Sequence, residues 1–137
     1  MPNPQLAAKY AARSAEHYRT AVLLADAGEE WAVVCFFYAA FSAARAALYN
    51  EPRLDSDAAA RAVNSKLTAS SRHVDFHNGH PSRGPGMNQI VEILFHPVGA
   101  KYELLHVKSC EVRYGFGLED ATIDQIGALT DEVLAGL

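Results

Sequence analysis

Histidine and arginine are the residue types of this sequence that suit acid–base chemistry at a phosphate. His106 and Arg113 lie seven residues apart in a helix-patterned segment, so they share one helical face. A histidine can act as a general base, and a guanidinium can stabilise the negative charge that develops on a phosphoryl group. His106 and Arg113 are therefore candidate catalytic residues, and a structural polar network is the alternative interpretation of this pair.

A polar stripe follows the most apolar predicted helix. Tyr38, Ser42, Arg45 and Tyr49 recur at steps of four, three and four residues, which places them on one face. One interpretation is a groove in which Arg45 binds an anionic ligand such as a phosphate. The other is that Arg45 pairs with a carboxylate or with carbonyl groups at a helix end, because arginine is rarely buried without partners. The candidate ligand-binding residues are Tyr38, Ser42, Arg45 and Tyr114.

A histidine-rich segment raises the question of a metal site. His73 and His77 have the four-residue spacing with which two imidazoles can bind one zinc ion on a helix, and His80 or Asp75 would be a third ligand. However, no glutamate follows His73 as in the HExxH pattern, and no cysteine is near. We therefore predict no metal site and no cofactor, and expect a solvated or partner-contacting loop.

The elements that must position these residues are helices. Hydrophobic periodicity predicts an all-α fold of about five helices that form a single domain over residues 1–137. A shorter alanine-rich helix, capped by Asp55 or Ser56, is expected to end near Leu67, and a long Gly-, Pro- and His-containing loop then extends from Thr68 to Gly86. The other helices are predicted at Pro4–Ala27, Trp31–Tyr49, Met87–Phe95, Ala100–Arg113 and from Ala121 or Thr122 to Leu134.

Two glycine and proline positions set the expected boundaries. Gly28 is expected to end the first helix, since it adopts a left-handed conformation at low cost, so the first two helices would form an antiparallel hairpin. Pro97 is expected to stop the helix that begins at Met87, because the residue before a proline disfavours helical geometry.

Charge limits the kinds of partner. The formal net charge is −4, and all of it arises after residue 100, since nine basic and nine acidic residues balance in the first hundred. No run of Lys and Arg occurs, whereas proteins that bind nucleic acid through phosphate neutralisation usually carry a basic patch. Any contact with nucleic acid is therefore expected to be local.

The most apolar segment, Trp31–Leu48, is the one that imitates a membrane span. Its unbroken apolar part is Trp31–Phe41, and Arg45 interrupts the rest, so it falls short of the roughly 20 residues that a bilayer requires. We expect a central bundle helix or a subunit interface, and no membrane partner. Cys35 and Cys110 lie in apolar helical segments and suit a reduced setting, and the N-terminus lacks a signal pattern, so a cytoplasmic location is expected.

The order of these features resembles one superfamily. A long first helix is followed by the glycine–acidic turn Gly28-Glu29-Glu30, and the second helix places aromatics before small residues between Phe37 and Leu48. A segment with His73 and a later helix ending in Val112-Arg113-Tyr114 complete the pattern. The chain is similar to the HEPN (higher eukaryotes and prokaryotes nucleotide-binding) superfamily, as a divergent member.

The resemblance implies an up-and-down helical bundle that dimerises and often binds or cleaves RNA in toxin or defence systems. Active HEPN members carry an arginine followed four to six residues later by a histidine, which together form a metal-independent ribonuclease site in the dimer. Here Tyr114 to Asp120 follow Arg113 without a histidine. The sequence therefore favours a homodimeric module that binds RNA or a cognate protein without catalysis. The alternative is an active ribonuclease that uses Arg72 with His77, or His106 with Arg113.

Overall fold

The computed structural model describes residues 2–137, and these residues form an all-α fold, as predicted. Within that range there is no β-strand, and one isolated antiparallel bridge joins His80 to Gly84. Two short 3₁₀ segments, Pro52–Leu54 and Ala69–His73, accompany the α-helices. The six α-helices of the described residues are α1 (Pro4–Asp26), α2 (Ala32–Tyr49), α3 (Asp57–Val63), α4 (Met87–Leu94), α5 (His96–Tyr114) and α6 (Ile123–Gly136).

The predicted hairpin of α1 and α2 is present. The side chain of Asn3 accepts a hydrogen bond from the Leu6 amide at 3.1 Å, which satisfies one of the free donors at the start of α1. Gly28 has φ of 72°, as its role in the turn requires. The two helices are tied together where the Ser14 hydroxyl donates to the Ala39 carbonyl at 2.7 Å.

Helix α2 forms the centre of the core. Eleven of its 18 residues are buried, and it packs against α1, α5 and α6 of the same chain. By length and composition this helix would suffice to cross a membrane, but 61% of it is buried inside the bundle. The apolar character of α2 is thus accounted for within one chain, and dimerisation stays a prediction that rests on other grounds.

The later helices also contribute residues to the core. Tyr102, Leu105 and Ser109 of α5 are buried, as are Ile126 and Val133 of α6. The helix from Met87 ends at Leu94, before Pro97, as predicted, but the expected start of the next helix is wrong, because α5 begins at His96 and not at Ala100. Proline at the first turn of a helix loses no hydrogen bond, since its missing N–H would have no partner there. Pro97 therefore starts α5.

The stretch between α3 and α4 is more ordered than predicted. Helix α3 ends at Val63 instead of Leu67. The expected solvated loop includes the 3₁₀ segment, in which Ser71 and Arg72 are buried. Its next part is bound to the start of α4, where the amides of Met87 and Asn88 donate to preceding carbonyls at 2.8 and 3.0 Å. The parts of this loop next to the 3₁₀ segment and to α4 are consequently packed, whereas residues 78–84 between them are exposed.

Candidate functional site

The structure brings His77 and His106 into direct contact. Their ring centroids are 4.4 Å apart, although the residues are 29 positions apart in the chain. Phe37 lies 5.4 Å from the ring of His77 and 5.1 Å from that of His106, and Phe41 lies 5.2 Å from His77. Both imidazoles are partly exposed. Two aromatic walls from α2 therefore hold a pair of histidines at the surface of the bundle.

The start of α4 fixes the backbone of His77. The Asn88 amide, which has no partner inside its helix, donates to the His77 carbonyl at 3.0 Å. Gly86 permits this close approach, because a Cβ there would lie 2.5 Å from the His77 carbonyl oxygen. Gln89 accepts hydrogen bonds from the amides of Gly79 and Gly86 at 2.8 and 2.9 Å. The position of His77 is thus set by main-chain contacts.

Asn88 fixes the protonation pattern of His106. Its buried side-chain nitrogen lies 2.9 Å from Nδ1 of His106. Because an amide nitrogen can only donate, Nδ1 accepts, and neutral His106 carries its proton on Nε2. The side-chain oxygen of Asn88 is buried without a hydrogen-bond partner, and so is Nδ1 of His77. A buried polar atom without a partner costs about 1–3 kcal/mol, so each of these two requires an explanation.

Arg113 extends the site toward solvent. Its guanidinium donates a hydrogen bond to the Tyr38 hydroxyl and lies 4.9 Å from the ring centroid of Tyr114. Tyr114 is 74% exposed. Across residues 2–137, no carboxylate lies within ion-pair distance of Arg113. The guanidinium is therefore free to bind an anion next to an exposed aromatic face.

Burial and neighbouring charge lower the pKa values of the two histidines by different amounts. Burial, followed by the positive charges of His106 and Arg113, lowers the pKa of His77 to about 4, against a smaller opposing effect of Asp75. Burial also lowers the pKa of His106 below its ordinary 6.5. Two adjacent imidazoles resist carrying charge together, so one proton shared between them is placed on His106. In this pair, neutral His77 could therefore act as a base and protonated His106 as an acid.

Replacing Asn88 with aspartate is expected to raise the pKa of His106. A carboxylate would accept the Nδ1 proton of the imidazolium and favour its charged form, whereas the native amide donates to the neutral form. NMR titration of the His106 ring, assigned with His106→Gln, measures the effect. Asn88→Ala is the control, because it removes the donor without adding charge. If the pKa of His106 in Asn88→Asp did not exceed that in Asn88→Ala, the proposed contact would be wrong.

Arg72, predicted as the partner of His77, has a different place. It is 3% exposed, and its guanidinium donates to the Glu51 carbonyl at 2.8 Å and to the Asp55 carboxylate at 2.9 Å. These contacts tie the 3₁₀ segment Ala69–His73 to the chain after α2. We therefore leave Arg72 out of the site.

The remaining predicted residues fall in separate places. Ser42 is buried inside the bundle, which removes it as a ligand-binding residue. His73 lies 3.3 Å from the Tyr49 hydroxyl, and His80 lies 2.7 Å from the Ser82 hydroxyl. Among the described residues, no three His, Cys, Asp or Glu side chains come together as a metal site. The three histidines of the loop, His73, His77 and His80, thus lie in three different environments.

Three residues of the site escaped the sequence analysis, namely Phe37, Phe41 and Asn88. The phenylalanines lie four positions apart and so share a face, but an apolar helix offers many such pairs. Asn88 carried a clearer signal, since it is a polar residue among the apolar positions Met87, Ile90 and Val91 of a short helix. A buried amide in that setting requires a polar partner.

Comparison with known proteins adds no relative. No family model, curated protein or solved structure matches the chain. The fold and the site thus define an all-α helical bundle with a histidine pair at its surface, and the HEPN resemblance stays a prediction from the sequence.

Proposed function

We propose that this protein is a metal-independent ribonuclease of the HEPN type, acting at His77, His106 and Arg113. The observation that carries the proposal is the contact of the two imidazoles beside an arginine without a carboxylate partner. General acid–base catalysis needs one group that takes a proton and one that gives it, both within reach of the reacting phosphate. A guanidinium and the Tyr38 hydroxyl would bind the phosphate oxygens.

The difference in pKa assigns the two roles. His77 has the lower pKa, stays neutral, and accepts the proton of a ribose 2′-hydroxyl. The 2′-oxygen then forms a bond to phosphorus while the bond from phosphorus to the 5′-oxygen breaks. Protonated His106 gives its Nε2 proton to that leaving oxygen. The products are a 2′,3′-cyclic phosphate and a 5′-hydroxyl, so one proton is taken up and one is released.

Asn88 supports both states of His106. In the neutral state its amide nitrogen donates to Nδ1. In the protonated state a half-turn of the amide presents its oxygen, which otherwise has no partner, to the Nδ1 proton. The buried amide thus holds the ring in one orientation through the reaction.

The working form in this proposal is a cytoplasmic homodimer. The HEPN resemblance supports a dimer, and both cysteines are free thiols, which suits a reducing compartment. Exposed apolar side chains also occur on α5, namely Leu104, Val107 and Tyr114, and after it at Phe116. Sedimentation at micromolar concentration would return a monomer mass if this part of the proposal were wrong.

The proposal is tested on a single-stranded RNA in the presence of EDTA. We expect cleavage that leaves 2′,3′-cyclic phosphate ends, and no cleavage when every ribose is 2′-O-methylated, because the attacking hydroxyl is then absent. His77→Gln prepared in parallel controls for contaminating ribonuclease. Cleavage that required a divalent cation, or that cut the methylated strand, would contradict the mechanism.

The second candidate is an RNA- or protein-binding module without catalysis. The absence of a histidine after Arg113 favours it, and so does the exposure of Tyr114 beside that arginine. The same experiment separates the two, because a module would bind both RNAs and cut neither. An absence of binding to either RNA would remove RNA from both candidates.

A further inference from the structure

A second cationic site lies farther along α2. The guanidinium carbon of Arg45 is 4.6 Å from the ring centroid of Tyr10 and 5.9 Å from that of Phe41. One of its nitrogens donates to the Tyr49 hydroxyl at 3.5 Å. The rings of Tyr10 and Tyr49 are stacked, with centroids 5.7 Å apart and planes within 11°. Arg45 is thus held by aromatic faces from α1 and α2.

The charge of Arg45 is not neutralised by the described chain. None of the ion pairs in residues 2–137 includes it, and its Nε atom is buried without a hydrogen-bond partner. The sequence left open a carboxylate or helix-end partner for Arg45, and the structure shows neither. A partly buried arginine is seldom found without an anionic partner. The surroundings of Arg45 are therefore suited to binding an anionic ligand.

The groups next to Arg45 suit a phosphate joined to a base. The Tyr49 hydroxyl connects Arg45 to Nδ1 of His73, which lies 3.3 Å away on an exposed side chain. Arginine and histidine together offer several donors to phosphate oxygens. The ring of Tyr10 is partly exposed and can stack on an unpaired base.

The second site is continuous with the histidine pair. Phe41 lies near both, since its ring centroid is 5.2 Å from that of His77 and 5.9 Å from the guanidinium carbon of Arg45. Tyr38, which binds Arg113, and Tyr49, which contacts His73, are eleven residues apart on the same face of α2. That separation is about 16 Å of helix, several times the roughly 3.4 Å rise of one nucleotide in a stacked strand.

We propose that Arg45 and His73, positioned by the buried Tyr49 and flanked by Tyr10, bind a phosphate of single-stranded RNA at a nucleotide away from the scissile bond. This inference rests on the proposed ribonuclease function and names its substrate class. A single strand is required because aromatic rings stack on unpaired bases, which a duplex does not offer. The RNA must also extend from Arg113 past the histidine pair to Arg45. A dinucleotide is too short to contact both arginines.

Binding of short RNAs to Arg45→Gln tests the proposal. The probes are 2′-O-methylated strands of two and six nucleotides, which stay intact. We expect Arg45→Gln to weaken binding of the six-nucleotide strand about tenfold and to leave the dinucleotide unchanged, since a charge-assisted contact is lost. Arg45→Lys should recover part of the loss, because it keeps the charge without the planar fork. In cleavage assays KM should rise while kcat is kept.

Two further variants make the result decisive. Arg19→Gln on α1 removes the same charge from an exposed position and should leave both affinities unchanged. His73→Gln alters the exposed member of the subsite, where the fold is not at risk, and should weaken binding of the longer strand about threefold. Circular dichroism and melting verify that each variant is folded.

The outcomes separate this inference from the proposed function. Equal binding of the longer strand by the native protein, Arg45→Gln and His73→Gln would overturn the subsite, even if RNA were cleaved. Length-dependent binding that needs Arg45, without any cleavage of unmodified RNA, would support the subsite and reject the ribonuclease. An Arg45→Gln variant that lost kcat with unchanged KM would also count against a remote binding role.

Discussion

Replacing His77 or His106 with glutamine is expected to reduce RNA cleavage by about 10² to 10⁴-fold. His77→Gln removes the base that accepts the proton of the 2′-hydroxyl, and His106→Gln removes the acid that donates a proton to the leaving oxygen. Glutamine keeps a polar side chain of similar length, so the fold should be retained. Single-turnover cleavage of a labelled RNA measures the loss. His80→Gln is the matched control, because this exposed histidine contacts Ser82 and lies outside the pair.

The pH dependence of kcat/KM tests the assignment of roles. The base must be unprotonated, so activity should fall as the pH drops through the pKa of His77, about 4. The acid must be protonated, so activity should also fall as the pH rises through the pKa of His106, which lies below 6.5. The optimum is therefore expected between about pH 4 and 6.5. A maximum above pH 8 would contradict the assignment.

Folding stability changes over the same pH range and must be monitored. An unfolded histidine takes up a proton near pH 6.5, whereas folded His77 resists protonation until about pH 4. Protons then favour the unfolded chain, so this contribution to stability is present above pH 6.5 and is lost as the pH falls toward 4. Circular dichroism at each pH separates the loss of fold from the loss of activity. His77→Gln should show a weaker destabilisation by acid.

The helices could largely be predicted from the sequence because their signals are local. The period of apolar residues and the turn at Gly28 placed α1 and α2 within one residue at each end. The start of α5 was predicted too late because of Pro97. A proline has no N–H, so it is disfavoured inside a helix but tolerated in the first turn of one. The sequence around Pro97 is compatible with both positions, and the structure places it in the first turn of α5. A local sequence signal therefore predicts a helix boundary reliably only where it is compatible with a single structure.

The histidine pair could not be predicted, because it depends on how separate elements pack. His106 and Arg113 share a face of α5, which the spacing showed, but the approach of His77 depends on the contact of its carbonyl with the start of α4. Arg72 is only five residues from His77, yet its guanidinium is held by Glu51 and Asp55. Nearness in the chain therefore suggested Arg72 as the partner of His77, whereas packing brings His106 against His77.

Arg45 shows the same limit for a single side chain. Its position on a polar stripe was evident from the spacing, and two kinds of partner were weighed, an external anion and an internal carboxylate or carbonyl. The structure surrounds it with aromatic faces instead. Cation–π contacts hold a guanidinium in place without neutralising its charge, so they keep its capacity to bind an anion.

Phe37→Ala is expected to cause the largest loss of stability among the substitutions considered. Phe37 is 1% exposed and contacts His77, His106 and Tyr102, with ring centroids 5.1 to 5.8 Å away. Removing a buried phenylalanine ring costs about 3–5 kcal/mol through lost burial and the cavity left behind. That is a large fraction of the roughly 5–15 kcal/mol that stabilises a typical domain. Urea denaturation followed by circular dichroism gives the free energy of unfolding.

Phe116→Ala is the matched control for this prediction. Phe116 is fully exposed in the single chain, so at protein concentrations that keep the chain monomeric the same change of residue type should alter the free energy of unfolding by no more than about 0.5 kcal/mol. A loss below 1 kcal/mol for Phe37→Ala would show that the centre of the bundle is not packed as described.

The same substitution links the core to the chemistry. Phe37 is a wall for both imidazoles, so its removal opens the pair to water and weakens the burial that lowers the pKa of each histidine. Both pKa values should then move up toward 6.5, which NMR titration of the folded variant can follow. The optimum of kcat/KM should shift to higher pH together with them. A folded Phe37→Ala protein with an unshifted pH profile would mean that the pair in contact with Phe37 does not set the rate.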